Sequence, residues 1–231
     1  PPALLDLYSR TVVPSATAGT VAINEASPDL RPERVKALEV GADWQGAHGA
    51  RFAVTLYRQQ LSELIYRRRL SSTLARTENA ARADVDGIEA QAVWPVGGTG
   101  LRVLAMVGHH FRYDITENPA VPDSVGKRLT DVPRTTASLT LEGERGPFSG
   151  YVGIRHVSQV FGSGDDLNRN TASGVYGAYD AVTLLSARLA WRLTASWEAS
   201  LSGDNLVNRK YYAFGRQPGR LLGDRLQPQA R

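Results

Sequence analysis

Cysteine is absent from the 231 residues, which excludes disulfides and thiolate metal sites. No apolar run approaches the ~18 residues a membrane helix needs. Lysine is scarce: Lys36, Lys127 and Lys210 are the only ones, so arginine supplies nearly all of the Lys+Arg total of 27. Such an excess suits phosphate recognition, and coding bias produces the same composition. The arginines are dispersed along the chain rather than gathered on one face, which gives nucleic-acid binding little support. No Gly-rich phosphate loop, nucleophile elbow or zinc-ligand spacing occurs, so neither catalysis nor a bound cofactor is expected. No signal peptide opens the chain. It starts at Pro1-Pro2 without a methionine and reads as a fragment or processed piece.

What the chain does contain is alternation. Leu185, Ala187, Leu189, Trp191 and Leu193 share one parity, with Ser186, Arg188, Ala190 and Arg192 between them. After the break Thr194-Ala195-Ser196, Trp197, Ala199 and Leu201 alternate with Glu198, Ser200, Ser202 and Asp204. Period two means β-strands with one apolar and one charged face, here joined by a tight turn. The same pattern recurs over Arg34–Trp44, Ala50–Tyr66, Glu78–Trp94, Leu101–Tyr113, Lys127–Glu142, Phe148–Phe161, Gly177–Leu193 and Trp197–Val207. The gaps between these segments run short, long, short, long. The reading is all-β, about eight strands in antiparallel hairpins.

Soluble meanders alternate too, so the aromatics discriminate. Trp44, Trp94, Trp191 and Trp197 all sit beside short turns, whereas Tyr66, Tyr113, Phe161, Tyr176, Tyr179, Tyr211 and Tyr212 sit beside the long gaps. In an up-and-down arrangement this gives two aromatic rings, one at each rim, as in a transmembrane β-barrel. Such a barrel escapes hydropathy scans because lipid-facing and lumen-facing residues average out. Most charges respect the pattern: Arg188 and Arg192 share the lumen parity with Glu198 and Asp204, and Arg102 agrees with Arg112. Arg58 breaks it, since it shares the parity of Phe52, Val54 and Leu56. Snorkelling to the rim and a β-bulge both remain open for it.

Five segments carry a resemblance to a known family. "SPDLRPERVKALEVGADW" (Ser27–Trp44) is similar to the Pro-x-Leu-x-Pro-Glu…Glu-x-Gly segment of TonB-dependent outer-membrane receptors. "PPALLDLY" (Pro1–Tyr8) resembles the stretch that precedes it there, with Asp6 where glutamate is usual. "NAARADVDGIEAQ" (Asn79–Gln91), "GKRLTDVPRTTASL" (Gly126–Leu139) and "DNLVNRKYYAFGRQPGR" (Asp204–Arg220) resemble later family segments in the same order. The resemblance implies an antiparallel up-and-down barrel of about 22 strands with a plugged lumen, of which this chain is the C-terminal part. It divides the chain into a loop region with the end of a preceding strand (1–33), barrel strands (34–219) and a divergent tail (220–231). That tail, "LLGDRLQPQAR", stands where the family has a closing strand with a terminal aromatic.

The resemblance also implies a function: energised uptake of a scarce nutrient, with a ferric siderophore as ligand and the TonB complex as partner through an N-terminal region absent here. Outer-membrane lipid and lipopolysaccharide are further expected partners, and the location is the Gram-negative outer membrane. A passive porin-like or surface-binding barrel is the alternative, and a soluble β-rich binding domain a third reading. The basic run Arg67, Arg68 and Arg69 falls on the loop side. There it suits lipopolysaccharide phosphates or an anionic chelate, or is a solvated loop cluster. Tyr179, Tyr211 and Tyr212 are candidates as girdle anchors or as ligand contacts. His109 and His110 are adjacent, so on a strand they face opposite sides and share no metal. Asp165-Asp166 lie in a Gly/Ser/Asn-rich loop, where solvated turn residues are the default over a calcium site.

Overall fold

A computed structural model describes residues 4–14, 21–162, 165–172 and 178–212. The divergent tail, the Pro-Gly-Arg segment and Tyr176 lie outside them. Among the described residues there is one α-helix, α1 (Leu4–Tyr8), and the rest of the regular structure is almost all strand. The strands are β1 (Thr11–Pro14), β2 (Val21–Glu25), β3 (Arg34–Gln45), β4 (Arg51–Arg69), β5 (Leu74–Val96) and β6 (Leu101–Glu117). After these come β7 (Thr135–Arg145), β8 (Phe148–Val157), β9 (Val160–Phe161), β10 (Ala178–Tyr179), β11 (Val182–Arg192) and β12 (Glu198–Gly203). One sheet has the order β1-β2-β5-β6-β7-β8-β11-β12, with β4 pairing both β3 and β5, while β9 and β10 form a separate pair.

The short connections have the turn chemistry their sequences suggest. Gly98 (φ 67°) and Gly146 (φ 60°) take the left-handed conformation that closes the β5–β6 and β7–β8 hairpins, a region costly for a residue with a Cβ. At the β11–β12 turn the Thr194 hydroxyl accepts from the backbone N–H groups of Ser196 (3.2 Å) and Trp197 (3.1 Å).

Several strands differ in extent from the alternation-based reading. The expected polar gap after Tyr66 shrinks to Leu70–Thr73, because β4 continues to Arg69 and β5 begins at Leu74. At that end Arg67, Arg68, Arg69, Arg76 and Glu78 dilute the hydropathy contrast while the backbones keep pairing. β6 likewise runs on to Glu117. The segment after Phe148 breaks at Val157, and Val160–Phe161 pairs instead with Ala178–Tyr179. β2 lies parallel to β5, Ile23 opposite Leu74 and Glu25 opposite Arg76, which simple antiparallel hairpins do not provide.

The chain divides into two compact units. The first comprises Pro1–Leu38, Arg58–Asp86 and Arg112–Leu129. Its buried cluster is Leu64, Ala81 and Ala83, with Leu61, Tyr66 and Leu129 packed against it. Leu61 and Leu64 are three apart, so a regular strand would place them on opposite faces. Glu63 has φ 58°, and this bulge-like irregularity lets both side chains reach one cluster. The Glu63 carbonyl accepts from Asn79 Nδ2 at 2.7 Å, and its carboxylate pairs with Arg31 at 2.8 Å. The second unit comprises Glu39–Tyr57, Gly87–Phe111 and Thr130–Arg231. Its strands β7, β8, β11 and β12 and the start of β6 are in continuous antiparallel register.

Candidate functional site

The register of the second unit sorts side chains onto two faces. Val103 stands opposite Leu141, Leu141 opposite Val152, and Val152 opposite Ala187. Leu139 stands opposite Ile154, Ile154 opposite Leu185, and Leu189 opposite Leu201. This apolar face is uncovered: Leu189 is 59% exposed and Leu201 80%. A water-soluble sheet of this composition would cover such a face with another layer.

The apolar face has distinct ends. At the short-turn end, Trp44 stacks on Trp94 (centroids 6.4 Å apart) and Phe148 on Trp191 (5.9 Å). At the other end two cross-strand pairs repeat one device. His109 and Thr135 are register partners joined Nδ1 to Oγ1 at 2.8 Å, and His156 and Thr183 repeat this at 2.9 Å. From Phe148 to His156 the strand rises about 27 Å, or about 20 Å of height at the usual barrel tilt, near the ~25 Å apolar band of outer-membrane barrels.

The opposite face is polar. Arg102 and Glu142 are cross-strand partners and pair at 2.6 Å; Arg188 reaches Glu198 at 3.3 Å. Glu89, Gln91, Thr55, Ser138 and Arg155 line a recess there. The Tyr57 ring lies against Gly87, where any Cβ would collide with its hydroxyl. That hydroxyl is hydrogen-bonded to His110 Nδ1 at 2.8 Å. His109 and His110 therefore point to opposite faces, as their adjacency implied. Among the described residues no cluster of metal-ligating side chains occurs.

In the first unit, Asp84 and Asp86 share a face of β5, and each is held by an arginine from a flanking strand. Arg58 of β4 meets Asp86 through Nε at 2.8 Å and Nη2 at 3.4 Å. Arg112 of β6 meets Asp84 at 2.9 Å, so it does not share the polar face of Arg102 as strict alternation along β6 implied; Arg82, on the same face of β5, meets Glu117 at 3.2 Å. The anomalous parity of Arg58 is thus answered by a partner: Asp86 shares its strand face with Ile88, Ala90, Ala92 and Trp94. Sequence reading missed this ladder, although the even parity of Asp84 and Asp86 was visible.

The sequence-derived site residues fall in different places. Arg67 is exposed and borders a recess with Ser71 and Thr73. Arg68 pairs with Glu78 at 3.3 Å, and the Arg69 side chain lies outside the described residues. Tyr179 is buried, 4% exposed, and Tyr211 and Tyr212 are half-buried. Arg67 and Arg68 belong to the first unit and the three tyrosines to the second. The described loop-side aromatics are all buried or half-buried. Tyr113 is 2% exposed and Tyr66 packs on the Leu64 cluster, so these rings serve as core where strands and loops fold together. In the loop after β9, the Asp165 carboxylate accepts from the backbone N–H groups of Arg169 and Asn170, both at 2.8 Å. Burial, with the nearby charges of Asp165 and Asp131, raises the Asp166 pKa above the ordinary carboxylate value.

A family model described as TonB dependent receptor-like, beta-barrel, matches residues 1–206. Comparison with curated proteins finds no match. Among solved structures the chain is similar to the copper transporter OprC, with 19% identity and a TM-score of 0.64 over 91% of this chain and 30% of that one. It is also similar to the ferric yersiniabactin uptake receptor FyuA from Yersinia pestis, with 19% identity and a TM-score of 0.61 over 91% and 30%. The ferric-catecholate import receptor Fiu from E. coli K12 aligns with 16% identity and a TM-score of 0.62 over 87% and 26%. The chain spans less than a third of the length of these structures.

Proposed function

Given that the chain belongs to the TonB-dependent receptor-like β-barrel family of the Gram-negative outer membrane, we propose that it forms part of the wall of a receptor for TonB-energised uptake of a ferric siderophore. Its apolar face then meets lipid and its polar face lines the lumen. The short-turn end lies in the periplasm and the long-loop end outside. The supporting observation is the two-faced sheet, with Leu189 and Leu201 uncovered on one side and Arg102–Glu142 and Arg188–Glu198 on the other. A polar lumen suits a bulky, polar ligand. Among the described residues β3 pairs only with β4 and β12 only with β11. In lipid such edges need neighbouring strands to satisfy their backbone groups.

The siderophore reading draws on FyuA and Fiu, whose names give ferric uptake and import. OprC, named as a copper transporter, supports a second ligand reading, copper. Of the loop-side candidates, Arg68 already holds Glu78 and Tyr179 is buried, and the exposure of Arg67 supports it as the contact for an anionic chelate. The test is uptake in a deletion strain. Loss of growth on iron-chelated medium, restored by the gene only when TonB is present, is the expected result. Loss confined to copper-limited medium selects the copper reading. Uptake indifferent to TonB overturns the receptor in favour of a passive porin.

A further inference from the structure

We propose that Ala26–Glu33 is a strap that lifts as a unit from the hairpin end of β4 and β5, with the side chain of Asn79 as its latch. The strap, its latch and both strands at that end belong to the first unit.

The strand order obliges this segment to cross β5. At the β4–β5 hairpin, β4 occupies one edge of β5, where the Leu70 N–H donates to the Leu74 carbonyl at 2.8 Å. β2 pairs with β5 at the same level, Glu25 opposite Arg76, and so holds the other edge. The next strand, β3, begins at Arg34 and pairs with β4. Between Glu25 and Arg34 the chain therefore passes over β5, on the face that carries Thr77 and Asn79. Thr77 on that face is only 7% exposed. Pro28 and Pro32 each fix φ within the strap, which stiffens it between its two ends.

One side chain ties the strap to both strands. Asn79 Oδ1 accepts from the Arg31 N–H at 2.7 Å, and Nδ2 donates to the carbonyls of Arg31 at 2.8 Å and Glu63 at 2.7 Å. The last of these bonds holds Glu63 at φ 58°, a conformation unfavourable to a residue with a Cβ. The Arg31–Glu63 ion pair adds little, because Arg31 is 62% exposed. Against the latch stands a penalty inside the closed strap. Ser27 is 7% exposed, and neither its hydroxyl nor the buried carboxamide oxygen of Asn24 has a hydrogen-bond partner among the described residues. Both groups have lost their hydration without compensation, and both regain it when the strap lifts. Little packing opposes that motion: Pro28, Asp29, Arg31, Pro32 and Glu33 are exposed. A recess of about 240 Å³ lies between the strap and Arg76–Asn79 of β5. Few buried contacts and one concentrated fastening are the conditions for local opening without global unfolding.

Amide hydrogen exchange of the full-length protein, read by mass spectrometry on peptides covering Ser27–Glu33, tests the strap. Ser27→Ala removes the uncompensated hydroxyl from the closed state and is expected to slow exchange there about tenfold. Asn79→Ala releases the latch and is expected to speed it about tenfold or more. Peptides from β7 and β8 should keep their wild-type rates in both variants. Exchange in Ser27→Ala at the wild-type rate or faster would show that closure carries no such penalty and overturn the proposal. So would a strap that keeps its protection in Asn79→Ala, or one that gains exchange only together with β7 and β8, the mark of general unfolding. Should Asn79→Ala not fold, Asn79→Asp is judged by the same comparison, since it keeps the acceptor for the Arg31 N–H and loses both donated bonds.

Discussion

Ala187 lies midway along β11 between Thr183, at the polar limit of the apolar face, and Trp191, at the indole end. It is about 13 Å of strand from either, near the middle of the band. Its next neighbour Ser186 points to the polar face, where Arg188 already sits. An arginine on the lipid face at the bilayer midplane costs ~2–4 kcal/mol, a factor of roughly 30 to nearly 1,000 in the folding equilibrium. Ala187→Arg should therefore destabilise the full-length protein by about that amount in lipid vesicles. Ser186→Arg, one residue away, should cost little. Urea titration followed by tryptophan emission reads the difference. In a soluble sheet with an exposed face, both substitutions would stay within about 0.5 kcal/mol. Equal cost at the two positions would refute the assignment of faces.

Gly87→Ala should destabilise by about 1–3 kcal/mol, because its Cβ meets the Tyr57 ring and the His109 carbonyl; denaturant midpoints check this. Tyr57→Phe removes only the bond to His110 and should cost ~0.5–1.5 kcal/mol in the same measurement. Asp166 is disfavoured as a carboxylate by burial first, then by Asp165 and Asp131. Its contribution to stability is therefore present below the ordinary carboxylate pKa and is lost as pH rises through the raised value. Asp166→Asn should accordingly match the wild type in acid and exceed it at neutral pH, read from melting temperatures across that range.

Much of the second unit was legible because its strands keep strong contrast between faces. The alternation from Leu185 to Leu201 gave both hairpin and faces, since Leu, Trp, Arg and Glu are unambiguous about solvent. The parallel β2–β5 pairing was not legible: Val21–Glu25 is too short to carry a periodicity, and strand direction leaves no mark in hydropathy. The loop-side tyrosines misled, because a tyrosine near a strand end suits an interface girdle or a small core equally well in sequence. Tyr113 and Tyr179 went to the interior. Arg58 looked misplaced only while its partner was unknown. Parity can be read within one strand, but the register that brings Asp86 opposite it requires three-dimensional pairing.

The central claim is that adjacent residues of one strand meet lipid and water by turns. Single cysteines at Ala90, Gln91 and Ala92, in a full-length protein freed of any cysteine outside this cysteine-free stretch, can carry a fluorophore in bilayers. Quenching by acyl chains bearing bromine is expected at Ala90 and Ala92, and not at Gln91. Equal quenching at Ala90 and Gln91 would contradict the account.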